Sequence, residues 1–317
     1  MKICRKGRKY YMKIAIAGLG KMGIQIAKKL HEDRFIVVAY NRSRNSVDEM
    51  KILGMIPAYT KQEVINSFND EQVIIWIMVP ADVVEEELND WLKLAPRGSV
   101  LIDGGNSDFR LTKKRADLVS KRGSVLMDSG TSGGVWGYMN GFSIMIGGDT
   151  KTFKIIEPIF KTLSKPSGAY YHFGESGSGH YVKMIHNAIE YGMMESLAEG
   201  YRLLKEGPYK NLDLISAGNV WQHRSVITSW LNELTMNALK AQENDPDLKD
   251  IDGVVVESGE TRFALETAKD FNIEMPSIKS SFDVRLASQK GEVNFATKLL
   301  ALMRNAFGGH KINQDRK

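Results

Sequence analysis

The stretch MKIAIAGLGKMGIQIAKKL, Met12 to Leu30, joins an apolar run to a glycine-rich turn and then to a helical repeat. Ile14 to Ala17 suit a buried strand, and Ile24, Ala27 and Leu30 recur at helical spacing. Between them stand Gly18, Gly20 and Gly23, separated by Leu19, Lys21 and Met22. A strand that feeds a helix through G-x-G-x-x-G predicts a dinucleotide site. The glycines allow a tight turn, an open backbone for a pyrophosphate and close packing of helix on strand, and the helix N-terminus faces the anion.

Working outward, the next strand-like run is FIVVAYNRS, which ends at Asn41, Arg42 and Ser43, where an adenine ribose would lie. An acid there accepts from ribose hydroxyls and repels a 2′-phosphate. No carboxylate is present, and a guanidinium stands beside a hydroxyl, so the chemistry favours NADP, with NAD as the alternative. Further apolar runs end in polar or glycine-rich tips. QVIIWIMVP closes on Val79 and Pro80, GSVLIDGGNS carries Asn106, and SVLMDSGTSGG ends on Ser132, Gly133 and Gly134. Such tips converge on one cleft beyond the carboxyl ends of parallel strands. FSIMIGG adds another strand, and TKTFKIIEPIFKTL a helix.

After residue 177 the pattern becomes helical, with periodic stretches at 178–205, 212–242, 260–270 and 277–307. The fold class is therefore α/β: a Rossmann-type doubly wound parallel sheet followed by a mainly α-helical C-terminal domain. The expected boundaries are a flexible basic leader at 1–11, a dinucleotide-binding domain at 12–177 and a helical domain for substrate and dimerisation, with a tail, at 178–317.

Composition excludes several classes. The chain has 317 residues, 43% of them hydrophobic, and no run approaches the roughly 18 apolar residues of a membrane helix. Its start lacks the apolar core of a signal peptide, so a cytoplasmic protein is expected. One cysteine, Cys4, forms no internal disulfide, and no Cys/His spacing suggests a metal. The formal charge is +5, and the leader alone holds Lys2, Arg5, Lys6, Arg8 and Lys9 without an acid. The body is balanced, which argues against a nucleic-acid partner.

The run KMIHNAIEYG, Lys183 to Gly192, places Lys183, His186 or Asn187, and Glu190 on one helical face. Val182, Ile185, Ile189 and Met193 form an apolar stripe that could dock the helix. A lysine beside a glutamate in a cofactor cleft suits alcohol oxidation. Hydride loss from a carbinol carbon requires a base for the hydroxyl proton, and a partly desolvated lysine can be tuned for that work. Alternatively, the polar stripe is a solvated helix face.

GLGKMG, DGGNS, SGTSGG, KMIHNAIEYG, ESGETRF and RNAFGGH together resemble the short form of the decarboxylating 6-phosphogluconate dehydrogenase family, within the β-hydroxyacid dehydrogenase superfamily. The resemblance covers most of the chain. It implies Lys183 as base and then acid, and Glu190 as the acid that protonates C1 of an enediol. It assigns Ser132, Gly133 and Gly134 to the substrate carboxylate, and Asn106, His186 and Asn187 to its hydroxyls. Tyr191, Arg262 and Arg285 take the phosphate, joined by Arg304 and His310 from the tail of a partner subunit in a homodimer or homotetramer. No metal is implied. The chain departs from the family pattern at Ala264, where a threonine hydroxyl is usual, and its Asn41, Arg42 and Ser43 look like the NADP pattern of longer forms. The other readings are a dehydrogenase for a small unphosphorylated 3-hydroxy acid and a non-catalytic NADP-binding regulator.

Overall fold

The computed structural model describes residues 3–5, 8–10, 12–309 and 312, the first two runs by their backbone alone. Two compact units divide between Lys183 and Met184. In the leader, β1 (Ile3–Arg5) and β2 (Arg8–Tyr10) pair antiparallel, where an arm without regular structure is expected. So short a ribbon is marginal on its own and adds nothing to the main sheet.

The first unit is built on eight strands: β3 (Lys13–Ala17), β4 (Ile36–Tyr40), β5 (Ile56–Ala58), β6 (Ile74–Ile77), β7 (Val100–Asp103), β8 (Val125–Ser132), β9 (Ser143–Gly147) and β10 (Tyr170–Gly174). Their order is β10-β9-β8-β7-β6-β3-β4-β5. Six strands run parallel. β9 pairs antiparallel with β8, and β10 runs with β9, so the parallel sheet of the sequence reading is reversed at one edge. The strands β5 and β10 carry no clear alternation and escape that reading.

Successive residues of a strand face opposite sides. Ile14 and Ile16 accordingly join one core with Val37, Trp76, Ile102 and Met127, while Ala15 and Ala17 join another with Val38, Ile75, Ile77 and Leu101. The first core is covered by α1 (Lys21–Glu32), α2 (Arg44–Ile52) and α7 (Thr150–Leu163). The second is covered by α3 (Lys61–Asn66), α4 (Val84–Leu94) and α5 (Phe109–Lys121). The short α6 (Gly137–Asn140) lies between β8 and β9. Helices on both faces make the sheet doubly wound. Its strand order reverses between β3 and β6, the position at which such sheets bind ligands.

The long α8 (Ser178–Glu206) leads into α9 (Leu214–Gln222), α10 (Trp230–Ala241), α11 (Glu260–Asp270), α12 (Pro276–Ser288) and α13 (Phe295–Gly308). Met194, Ala198 and Tyr201 of α8 pack with Leu299, Leu300 and Met303 of α13 in one core. Two expected single helices are each divided. The stretch 212–242 breaks before Ser229, whose hydroxyl accepts from Asn232 N at 3.1 Å and starts α10 afresh. The stretch 277–307 breaks at Gly291 (φ +93°), and Asn294 and Thr297 then close a capping box on α13.

Candidate active site

The fingerprint turn meets the demands of a dinucleotide cradle. At Gly18 (φ +107°) a Cβ would stand 2.2 Å from Met78 O, and at Gly23 a Cβ would stand 1.9 Å from Gly18 O. Neither position tolerates a side chain. A Cβ at Gly20 would meet nothing within 4 Å, so this glycine keeps an approach open. Gly20 is also the N-cap of α1, whose first turn has no acidic residue and no side-chain cap. The positive end of the helix dipole therefore faces this opening with no acid beside it to compete with an anion. Leu19 N donates to Asn41 Oδ1 at 3.2 Å, which ties the turn to the end of β4. Lys21, Arg42 and Ser43 are exposed, Met22 is half-buried, and the Arg44 guanidinium lies 5.2 Å from the Tyr59 ring centre.

The carboxyl ends of β3, β6, β7 and β8 open on one edge of the sheet. After β7, buried Asp103 accepts from Gly105 N at 3.0 Å and from Ser107 Oγ at 2.8 Å, holding exposed Asn106 at the tip. Gly105, the residue before Asn106, approaches Val79 O so closely that a Cβ would sit 3.1 Å away. The sequence reading names Asn106 but misses Asp103, whose clamp is a matter of two short-range hydrogen bonds. Ser132 ends β8, and Gly133 and Gly134 follow with positive φ.

Lys183 comes to this unit from α8 and is 7% exposed. A Cβ at Gly130 would fall 2.3 Å from the Lys183 Cβ, so the lysine stem lies directly on β8, two residues before Ser132.

In the second unit α8 carries His186, Asn187, Glu190 and Tyr191. His186 Nδ1 lies 3.0 Å from Asn187 Oδ1 and 3.9 Å from Glu190 Oε2. Asn187 Nδ2 donates to Glu260 Oε1 at 2.9 Å. Glu260, buried at the start of α11, orients this amide and goes unnamed in the sequence reading, although it sits in the ESGETRF motif. The expected apolar stripe is wrong in part. Ile189 and Met193 are 50% and 45% exposed, and the buried side of α8 is Met184, Ala188, Tyr191, Met194 and Ala198. Helical spacing alone allowed either face, because the helix carries apolar residues on both.

The phosphate-side residues divide. Arg285 is 1% exposed, with its Cζ 3.2 Å from the centre of the Tyr191 ring, and its Nε and Nη1 have no hydrogen-bond partner among the described residues. Its pKa is lowered to about 10, chiefly by burial. The Arg304 guanidinium adds to that lowering, while Tyr191, Glu190 and Glu195 oppose it. It stays charged at neutral pH. Arg304, half-buried on α13, is likewise lowered by burial and opposed by Tyr191, Glu190 and Glu260. Arg304 therefore acts electrostatically on Arg285 within the chain. Exposed Arg262 pairs with Glu257 at 3.3 Å and stands 5.5 Å from the Phe263 ring centre, and Ala264 is buried. His310 lies outside the described residues. Glu195, which the sequence reading does not mention, is buried and pushed up to about 7, chiefly by burial and also by Glu199, against the pull of Arg285. Among the described residues no cluster of His, Cys, Asp or Glu could hold a metal ion.

With this geometry the comparisons with known proteins agree. The NAD binding domain of 6-phosphogluconate dehydrogenase matches residues 13–174, and the 6-phosphogluconate dehydrogenase C-terminal domain matches residues 179–316. The chain belongs to the 6-phosphogluconate dehydrogenase family. A Bacillus subtilis (strain 168) protein, YqeC, provisionally named as a 6-phosphogluconate dehydrogenase, is 38% identical over 94% of this chain and 98% of its own. The NAD(+)-dependent, decarboxylating 6-phosphogluconate dehydrogenase of Haloferax volcanii is 34% identical over 95% of this chain and 98% of its own. Among solved structures, Plasmodium falciparum 6-phosphogluconate dehydrogenase, determined apo, with NADP+ and with 6-phosphogluconate, aligns with a TM-score of 0.79 at 25% identity. That alignment covers 93% of this chain and 70% of the other. As a member of this oxidoreductase family, the chain carries an NAD(P)-binding domain of the Rossmann type, and the open cradle at Gly20 fits that cofactor.

Proposed function

We propose that the protein oxidises and decarboxylates 6-phospho-D-gluconate to D-ribulose 5-phosphate and carbon dioxide, with NADP preferred over NAD. One observation carries the choice of substrate: a buried Arg285 with two donor atoms unpaired, next to the second guanidinium of Arg304. A buried cation with idle N–H groups is costly unless an anion completes it, and guanidinium pairs suit the dianion of a phosphate. A small unphosphorylated 3-hydroxy acid has no use for that seat.

The bound dinucleotide would be held by Gly18 to Gly23, Asn41, Arg42, Ser43, Val79, Pro80 and Asn106, and it supplies the hydride acceptor. Lys183 takes the C3 hydroxyl proton as the C3 hydride leaves. The resulting ketone lies β to the carboxylate, so loss of carbon dioxide delivers its electron pair into an enediol whose oxygen Lys183 reprotonates. Glu190 then protonates C1 of the enediol, which was C2 of the substrate, and so yields ribulose 5-phosphate. Ser132, Gly133 and Gly134 receive the carboxylate end, and His186 and Asn187 the hydroxyls, with Glu260 fixing the Asn187 amide. Tyr191, Arg262, Arg285 and Arg304 receive the phosphate. Association into a dimer or tetramer, with His310 reaching a partner's site, completes the reading.

Purified protein given 6-phosphogluconate with NADP or NAD should reduce the cofactor and release one carbon dioxide per turnover, faster with NADP. Reduction with an unphosphorylated 3-hydroxy acid at equal kcat/KM would overturn the substrate assignment. A faster reaction with NAD would overturn the cofactor preference and align the chain with its Haloferax relative.

A further inference from the structure

We propose that Asp128 is the positioning residue that sets where Lys183 stands, an inference that rests on Lys183 being the base of the reaction proposed above. Asp128 lies within β8 and is 0% exposed. Its Oδ1 accepts from Gly177 N at 2.7 Å and its Oδ2 accepts from His180 N at 2.9 Å. These amides belong to the turn entering α8 and to its first turn, which the helix itself cannot satisfy. A buried carboxylate from the sheet thus takes the place of a local cap and fastens the helix start to β8.

The surrounding glycines show how close that seat is. A Cβ at Gly147 would lie 2.5 Å from Asp128 Oδ1 and 2.8 Å from Gly179 N. A Cβ at Gly179 would lie 2.5 Å from Met145 O. Two residues further along β8, Gly130 receives the stem of Lys183. The helix therefore advances in the direction of β8, from its anchorage at Asp128 to the lysine at Gly130, toward the edge that holds Ser132. The amine and the anchor share less than one helical turn of backbone, His180 to Lys183. A displacement of the first turn is passed on to the amine, and misplacing a reacting group by about 1 Å costs on the order of a hundredfold in rate.

The test compares the parent with Asp128→Asn, which keeps one acceptor and turns a donor toward the second amide. The expected result is a kcat lowered about 10- to 100-fold. The NADP Kd should stay within about twofold and the deuterium isotope effect for C3-labelled substrate should rise, because the chemical step becomes limiting. The acidic limb of the pH–rate profile, where the base Lys183 gains its proton, should move as well, a change that simple loss of stability does not produce. Parental kcat and an unmoved profile in folded Asp128→Asn would overturn the proposal. If that variant does not fold, Gly147→Ala decides in the same way, since its methyl drives the carboxylate and the helix start apart. A parent without turnover would instead defeat the functional reading, and the labelling rate of Lys183 by an amine-acylating reagent, read by peptide mass spectrometry, then serves as the comparison. An unchanged labelling rate in the variant overturns the positioning role.

Discussion

Single residues differ in how far their work can be read from the chain. Gly18, Gly20 and Gly23 are legible because a backbone geometry demands each of them, and the structure separates their roles: two are closed by clashes and one faces open space. Gly20→Ala should leave the melting temperature of the unliganded protein unchanged, since its φ of −79° suits any residue, yet weaken NADP binding about tenfold or more, measured by cofactor fluorescence. Asp103, Asp128, Glu195 and Glu260 are not legible, because burial and partners distant in sequence give them their importance. Glu195 yields a prediction of its own. Its carboxyl is raised in the folded state from the usual 4.5 to about 7, so the folded protein holds that proton more tightly than the unfolded chain does. Stability is then fully present below about pH 4.5 and falls as the pH rises through about 7, by roughly 3 kcal/mol from this group. The melting temperature of Glu195→Gln relative to the parent should climb by several degrees between pH 5 and pH 8 in scanning calorimetry. A constant difference across that range would contradict the assignment.

At the scale of elements, the buried parallel strands and the long helix α8 announce themselves through unbroken apolar runs and helical spacing. The reversal of β9 does not, because strand direction leaves no mark on the local pattern. The breaks before α10 and α13 were missed for a different reason: Ser229 and Asn294 are good caps only where the chain before them turns, and periodicity continues across both. Asn294 accepts from Ala296 N at 2.8 Å and Thr297 N at 3.2 Å. Asn294→Ala should therefore cost about 1 kcal/mol and lower the melting temperature by about 2 °C. Because α13 carries Arg304, the same variant should also raise the KM for 6-phosphogluconate more than it lowers kcat.

In the function proposed above, the cofactor residues and Lys183 come from the first unit and the phosphate-side cations from the second. The change in pattern after residue 177 marks the start of α8, whereas the units divide between Lys183 and Met184, so Lys183, expected in the helical domain, falls in the first unit. What was not legible is which chain supplies Arg304, since a tail that reaches a partner and a helix that packs on its own core read alike. Mixing inactive Lys183→Ala with inactive Arg304→Ala protein, followed by partial unfolding and reassembly, should restore no activity if Arg304 serves its own chain. Recovery toward a quarter of the parental rate would place it in the partner's site instead.

The three glycines around Asp128 and Lys183 have a consequence for anyone who would reshape this enzyme. At 130, 147 and 179 the atoms in the way are a carbonyl oxygen, an amide, a buried carboxylate and a Cβ, none of which can swing aside as a side-chain tip would. A library randomised at these codons and selected for turnover should return glycine almost alone, and neighbouring substitutions will not rescue the losers. Variation in substrate size is better sought at exposed Arg262, and variation in cofactor choice at Arg42 and Ser43, where solvent rather than backbone borders the side chain.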